Sequence, residues 1–128
     1  MVKMTMENTS IEIFKYEVAQ GVSEYHAILR VTQSRLTYTE QVDALLEAYQ
    51  GLLDGELKGA VAVFKRFFVS DAANQADYLQ AIHAERSDCA LSIIEQAPLD
   101  GTKVAMWVYL QTGVQTKALK NGIYEVSH

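Results

Sequence analysis

The sequence has little of several residue types that would define its class. Its 128 residues include one cysteine and one proline. A single cysteine excludes a disulfide within the chain, and no apolar run approaches the roughly 18 residues of a membrane-spanning helix. The polar start MVKMTMENTS has no signal-peptide core. We therefore expect a cytoplasmic protein without membrane association.

Basic residues are also scarce, since eleven Lys and Arg face sixteen Asp and Glu and the net charge is −5. Nucleic-acid binding depends on a clustered positive field, so no nucleic-acid partner is expected. What is present is a composition that is 49% hydrophobic and 21% charged, which is typical of a globular protein. The length predicts a single domain over residues 1–128.

Alternating side chains predict two strands before the first helix. Residues 11–18 (IEIFKYEV) alternate, and residues 25–32 (YHAILRVT) follow a turn that contains Gly21. An antiparallel hairpin is the simplest pairing of these strands. Residues 1–10 are assigned to an N-terminal extension.

The first helix is predicted to begin after Thr37, because Thr37 and Glu40 match a capping box. Gly55 lies where a left-handed C-cap is expected. Between them an apolar stripe follows helical spacing and should face the core. The stripe consists of Val42, Leu45, Leu46, Tyr49, Leu52 and Leu53.

The second half of the chain predicts three more strands and another helix. Residues 59–70 (GAVAVFKRFFVS) are apolar on both alternating faces, as in a central strand. Ser70 or Asp71 is expected to cap a helix that ends near Ala84. The last strands are residues 89–96 and 103–111, and the turn between them contains Pro98, Asp100 and Gly101.

These elements predict an α+β fold in the order β-β-α-β-α-β-β, with two helices packed on one face of the sheet. The last strand is apolar on both sides, with Val104, Met106, Val108 and Leu110 on one and Ala105, Trp107 and Tyr109 on the other. Leaving a whole apolar sheet face wet would cost more than the usual net stability of a domain. The pattern therefore predicts an obligate oligomer.

Three stretches resemble the RidA/YjgF family, once described as endoribonuclease L-PSP. They are TYTEQVDALLEAYQGLL, GAVAVFKRFFVSDAANQADYL and CALSIIEQAPLDGTKVAMWVYL, and the likeness runs from about Phe14 to Leu110. The resemblance implies a mixed-sheet fold like that of chorismate mutase of the AroH type. It also implies a homotrimer with the sheets inside, the helices outside and ligand clefts between subunits.

The resemblance implies a site as well. In the family's deaminases an arginine at the start of the penultimate strand binds the substrate carboxylate, and a glutamate on the last strand positions water. Those places fall on Cys89 and at or beside Trp107, and neither side chain keeps the role. We therefore expect a divergent domain that binds a small metabolite between subunits. The alternative is an enamine or imine deaminase, or another hydrolase of a small carboxylated substrate, that uses a relocated arginine.

The catalytic candidates are Arg86, as a relocated anion contact, and Cys89, as a nucleophile with His83 as its base and Asp88 nearby. For Cys89 a small buried hydrophobe is the commoner role. The predicted ligand cleft consists of Arg30, Arg86, Cys89, Trp107 and Tyr109. Core or interface packing is the alternative role of the two aromatic residues.

Two further features complete the sequence-based expectations. Lys65 and Arg66 interrupt a central strand on opposite faces, where they snorkel or pair across a subunit boundary. His26 and His83 have no Cys or carboxylate at metal-ligand spacing, so no metal and no other cofactor is expected. The tail, residues 112–128, repeats the Tyr-Glu-Val pattern of the first strand at its end, and one hypothesis is that it begins a second repeat of a longer protein.

Overall fold

Two helices pack on one face of a six-stranded mixed sheet in the computed structural model, which describes residues 1–86, 89–98 and 101–113. This arrangement confirms the predicted α+β class. The elements are β1 (Val2–Met6), β2 (Thr9–Ala19), β3 (Val22–Val31), α1 (Tyr38–Asp54), β4 (Val61–Val69), α2 (Ala72–Arg86), β5 (Ala90–Glu95) and β6 (Val104–Thr112). Residues 114–128, which include most of the predicted repeat start, lie outside the described residues.

The strands lie in the order β1-β2-β3-β6-β4-β5. All neighbours are antiparallel except β4 and β5, which run parallel. The predicted β2–β3 hairpin is present, and Gly21 in its turn has a φ of +76°, a conformation that favours glycine. Strand β1 was not predicted, because its sequence VKMTM gains its half-buried Met4 and Met6 contacts only by pairing with β2.

The capping box of α1 is present as predicted. The Glu40 N–H donates to Thr37 Oγ1 at 3.3 Å, and the Thr37 N–H donates to Glu40 Oε1 at 2.9 Å. These bonds satisfy two of the donors that a helix start leaves free. Backbone and side-chain hydrogen bonds to Thr37 also lower the pKa of the Glu40 carboxyl, because they favour its charged form.

The end of α1 differs from the prediction. Gly55 is the C-cap, but its φ of −130° is not left-handed. The reason is that the chain turns back into the core at this point: the Leu57 N–H donates to the Leu52 carbonyl at 2.7 Å, and Leu57 is buried. The left-handed glycine comes four residues later, at Gly59 with a φ of +89°.

The core lies between the helices and the sheet face that they cover, which we call the helix face. The α1 stripe is buried there as predicted, except that Leu53 is half-buried. From α2, Leu79 is buried against Leu46 and Phe67. The strands contribute Ile11, Ile13, Ala27, Leu29, Val31, Phe67, Val69, Val104, Met106, Val108 and Leu110 to this core.

Candidate ligand site on the open face

The opposite side of the sheet, which we call the open face, has no helix against it among the described elements. The strand registers arrange its side chains in three cross-strand rows, because directly paired residues share a face. The rows are Phe14–His26–Tyr109–Phe64, Glu12–Ile28–Trp107–Arg66 and Ser10–Arg30–Ala105–Phe68. Nearly all of these side chains are half-buried, and Arg30 is exposed.

A pocket of about 400 Å³ lies over the second and third rows. Its walls are mostly apolar, and one cation, Arg30, is among the described lining residues. Its floor is the sheet itself, and one wall is the segment that follows β5. The residues that define it are Ile28, Arg30, Phe68, Gln96, Pro98 and Trp107. An apolar cleft with a single charged group is the usual form of a small-molecule site.

Arg30 also borders a second, shallower cleft near β1. That cleft measures about 500 Å³ and is lined by Lys3, Thr5, Ser10 and Glu12 as well as Arg30. Arg30 forms no ion pair within the described part of the chain. Its guanidinium is therefore available to an anionic group from either cleft.

Trp107 is held in place by an aromatic cluster on the open face. Its indole N–H donates to His26 Nδ1 at 3.2 Å, and the two rings stack with centroids 5.6 Å apart. His26 also stacks on Tyr109, at 5.0 Å. Stacked rings of this kind are worth roughly 0.5–1.5 kcal/mol per pair beyond the area they bury. The site therefore has a fixed aromatic floor.

Tyr109 extends this cluster through a hydrogen-bonded chain. The Gln111 amide donates to the Tyr109 hydroxyl at 2.7 Å, and that hydroxyl donates to Glu24 Oε2. Burial, followed by the bond to the Glu24 carboxylate, raises the pKa of Tyr109 to about 12. The hydroxyl is therefore protonated at neutral pH and acts as a donor.

Arg66 is the second cation of the open face. Its guanidinium carbon lies 5.2 Å from the Phe64 ring centroid and 5.5 Å from that of Trp107. Its Nε is buried and has no hydrogen-bond partner among the described residues. Lys65 points to the opposite, helix face and is buried over the Tyr49 ring at 4.9 Å. The predicted placement of these two residues on opposite faces is correct.

The structure brings only part of the predicted cleft together. Arg30 and Trp107 line one pocket, and Tyr109 lies in the neighbouring row. Cys89 directly precedes β5, and Ala90 is four positions, about 13 Å, along that strand from Ile94, which pairs with Phe68 of the pocket. Cys89 therefore lies at the far end of β5.

The remaining catalytic candidates are placed as follows. His83 lies on the inner side of α2 in a small cavity with Lys65 and Phe67, and its Nδ1 has no hydrogen-bond partner among the described residues. Arg86 is the last residue of α2, and its side chain lies outside what the structure describes. Asp88, the proposed neighbour of Cys89, also lies outside the described residues.

Sequence reasoning missed four contributors to the site. Phe68 and the Gln96–Pro98 segment line the pocket, Ile28 faces Trp107, and His26 accepts its indole proton. Alternation alone puts His26, Ile28 and Arg30 on one side of β3. The missing information was the register of β3 on β6, which places that side beneath Trp107.

Comparison of the chain with models of protein families, with curated proteins and with solved structures finds no match. In the described part of the chain, no helix has the length and apolar character needed to cross a membrane. The same residues contain no group of three or more His, Cys, Asp or Glu side chains that could hold a metal ion. The candidate site is thus defined by the pocket on the open face, its aromatic floor and Arg30.

Proposed function

We propose that this chain is a divergent RidA/YjgF-like domain that forms a homotrimer through the open face and binds a small carboxylated metabolite at the subunit boundary. The observation that carries the proposal is the pocket that combines Arg30 with apolar walls on a sheet face that neither described helix covers. The number of copies and the chorismate-mutase-like fold rest on the resemblance in the sequence.

Association is supported by the chemistry of the open face. Phe14, Ile28, Phe64, Phe68 and Trp107 leave apolar surface half-exposed on it. Burying such surface stabilises an assembly by about 25 cal/mol per Å². Aromatic residues with interspersed arginines are also the composition that protein interfaces favour. A second copy of the chain, with the same face, supplies a matching surface.

Anion binding is supported by Arg30. Its planar guanidinium can hold a carboxylate through two parallel hydrogen bonds, and it forms no ion pair within the described residues. The described residues that line the pocket include no Asp, Glu or His. None of the described lining residues can therefore act as a general base, which favours binding over hydrolysis.

The oligomer is tested by light scattering at micromolar concentration. We expect a mass three times that of the 14.3 kDa chain. Phe68→Asp places a charge on the open face and should yield the single-chain mass with an unchanged circular dichroism spectrum. Glu47→Lys, on the exposed side of α1, is the matched control and should keep the larger mass. A wild-type mass of one chain contradicts the association.

A deaminase remains the second candidate, because Arg30 is an arginine in a pocket even though the family's arginine position holds Cys89. The assay is ketoacid release from 2-aminoacrylate generated in solution. We expect the same rate with and without the protein. A faster rate that Arg30→Gln abolishes, while the exposed loop variant Arg35→Gln retains it, would establish the enzyme instead.

A further inference from the structure

The pocket on the open face has its charged group at one end. Across the sheet, Arg30 of β3 pairs with Ala105 of β6, and Ala105 pairs with Phe68 of β4. Two strand spacings therefore separate Arg30 from Phe68, about 10 Å between Cα atoms. The far wall consists of residues 96–98, which follow β5, the next strand beyond β4. A ligand held by Arg30 must extend over Ala105 toward Phe68 and this wall.

The body of the pocket is bounded by rings. Phe68, Trp107 and Pro98 line it together with Ile28. The indole of Trp107 is held by its hydrogen bond to His26 Nδ1 at 3.2 Å, and a proline ring is closed on the backbone. Walls that are already fixed lose little freedom on binding, which favours a rigid ligand. Aromatic rings also attract other aromatic rings in offset or edge-to-face contacts.

The charge of the pocket suits a ligand with one anionic group. Arg30 is the one cation among the described lining residues, and none of them is Asp or Glu. At the far wall, Gln96 supplies an amide, while Ala97 and Pro98 supply apolar carbons. A second carboxylate there would lose water without gaining a cation, which is costly. The pocket should therefore discriminate against dianions.

We propose that the pocket takes an aromatic monocarboxylate, with its carboxylate on Arg30 and its ring system against Phe68 and Trp107. This inference rests on the proposed metabolite-binding role and names the class of ligand at that site. A guanidinium holds a carboxylate through two parallel hydrogen bonds. The volume of about 400 Å³ is in the range of small-molecule sites, so one or two fused rings fit.

The test compares four compounds that share one ring skeleton. They are 2-naphthoate, its saturated analogue trans-decahydro-2-naphthoate, the neutral 2-naphthamide and the dianion 2,6-naphthalenedicarboxylate. Calorimetry on the wild-type chain gives the dissociation constants. We expect 2-naphthoate to bind about fivefold more tightly than the saturated analogue, the ratio for one favourable ring contact. Since the saturated compound is the more hydrophobic, burial of apolar surface alone predicts the opposite order.

The other two compounds test the charge. Both 2-naphthamide and the dianion should bind about tenfold more weakly than 2-naphthoate, because the first lacks the charged contact and the second has an unpaired carboxylate. The position of the ring is tested by NMR. Trp107 is the single tryptophan of the chain, so its indole N–H gives one resonance, which 2-naphthoate should shift.

Variants separate the two contacts. Arg30→Gln should weaken binding of 2-naphthoate to the level of 2-naphthamide. Arg35→Gln, which removes an exposed charge from the loop before α1, is the matched control and should change no affinity. Phe68→Leu keeps an apolar side chain but removes a ring, so the preference for 2-naphthoate over its saturated analogue should fall to about twofold. This ratio is measured within one variant, so an effect of Phe68→Leu on stability or association does not set it.

Three results would overturn the inference. The first is equal affinity for 2-naphthoate and its saturated analogue, and the second is binding of the dianion as tight as that of 2-naphthoate. If Arg30→Gln still weakens binding in either case, the proposed metabolite site remains intact. The third is a fivefold preference that Phe68→Leu leaves unchanged, because the ring would then lie elsewhere. Absence of binding by all four compounds contradicts the proposed binding function as well.

Discussion

The two faces of this one sheet use different chemistry. On the helix face the strands present aliphatic side chains that are fully or almost fully buried, such as Leu29 and Met106, each 0% exposed. On the open face the adjacent residues in sequence, Ile28 and Trp107, are half-buried and lie next to Arg30 and Arg66. The helix face thus carries the core, and the open face presents half-buried aromatic and charged side chains.

Two buried polar groups, one beside each face, differ in how they are satisfied, although the helix side also holds the unpartnered Nδ1 of His83. Gln41, fully buried beside the helix face, donates to the Leu36 carbonyl and accepts from the Lys103 N–H, each at 2.9 Å. Both ends of its amide are satisfied within the chain. On the open face, the buried Nε of Arg66 has no partner in the described part of the chain. A satisfied buried group stabilises the fold, whereas the unpartnered Nε leaves the cost of removing it from water uncompensated by the described residues.

The largest expected effect on stability comes from shortening two adjacent side chains of β3, one on each face of the sheet. Leu29→Ala should lower the free energy of unfolding by about 3 kcal/mol, because it leaves a cavity in the core. Ile28→Ala should lower it by about 1 kcal/mol in the separated chain, since its side chain is only half-buried. Urea denaturation measures both values.

Protein concentration separates the two truncations further. If the open face is an interface, the effect of Ile28→Ala should grow as the chain concentration rises, because the variant also weakens association. The effect of Leu29→Ala should not change in this way. Equal costs at all concentrations would show that the two faces are equally buried and that the contrast is wrong.

A smaller effect is expected from the buried amide of Gln41. Gln41→Leu keeps the volume but removes partners from the Leu36 carbonyl and the Lys103 N–H. The free energy of unfolding should fall by about 2 kcal/mol, roughly 1 kcal/mol for each of the two part-buried hydrogen bonds that are lost. Thermal or urea denaturation provides the measurement.

The control for Gln41 lies on the exposed side of the same helix. Gln50 donates to Asp54 Oδ1 at 3.2 Å in solvent, and Gln50→Leu should change stability by less than about 0.5 kcal/mol. Comparable losses in the two variants would mean that Gln41 contributes no more than a surface amide.

Patterns within short segments predicted those helices and strands that depend on neighbouring residues in the chain. Alternation and the capping box of Thr37 and Glu40 identified α1 and five strands. Strand β1 was not predicted, because its five residues form a strand by pairing with β2. The insertion of β6 between β3 and β4 is a non-local pairing, and no periodicity within a segment carries that information.

Individual residues of the site could be predicted from the sequence, but their arrangement around the pocket could not. Arg30 and Trp107 stand out in the sequence as a cation in an apolar strand and as the sole tryptophan, and both line the pocket. Cys89 was grouped with them by counting along the chain from Pro98, whereas the sheet register places it at the other end of β5. The contact of the Arg66 guanidinium with Trp107 depends on the pairing of β4 with β6, which no local pattern reveals.

The smallest expected effect concerns the pKa values of two tyrosines, one on each side of the sheet. The pKa of Tyr38, beside α2, is raised to about 12 by burial and then by Tyr78, and its hydroxyl donates to the Gln75 carbonyl at 2.8 Å. The pKa of Tyr109 is raised to about 12 by burial and then by its bond to Glu24. The ordinary value is 10.0, so the folded state holds both protons more strongly than the unfolded chain. Their stabilising contribution is therefore complete below about pH 10 and is lost as the pH rises toward about 12.

Glu24→Gln tests whether the open-face tyrosine depends on a charged partner. It should lower the pKa of Tyr109, because the amide no longer opposes the phenolate charge, and leave that of Tyr38 unchanged. Tyrosine ring signals in an NMR titration report both groups, with Tyr109→Phe assigning the resonance. An unchanged pKa of Tyr109 would mean that its bond to Glu24 contributes little and that burial raises it. The tyrosines of the two faces would then not differ in electrostatics, and the case for a charge-selective pocket would rest on Arg30 alone among the described lining residues.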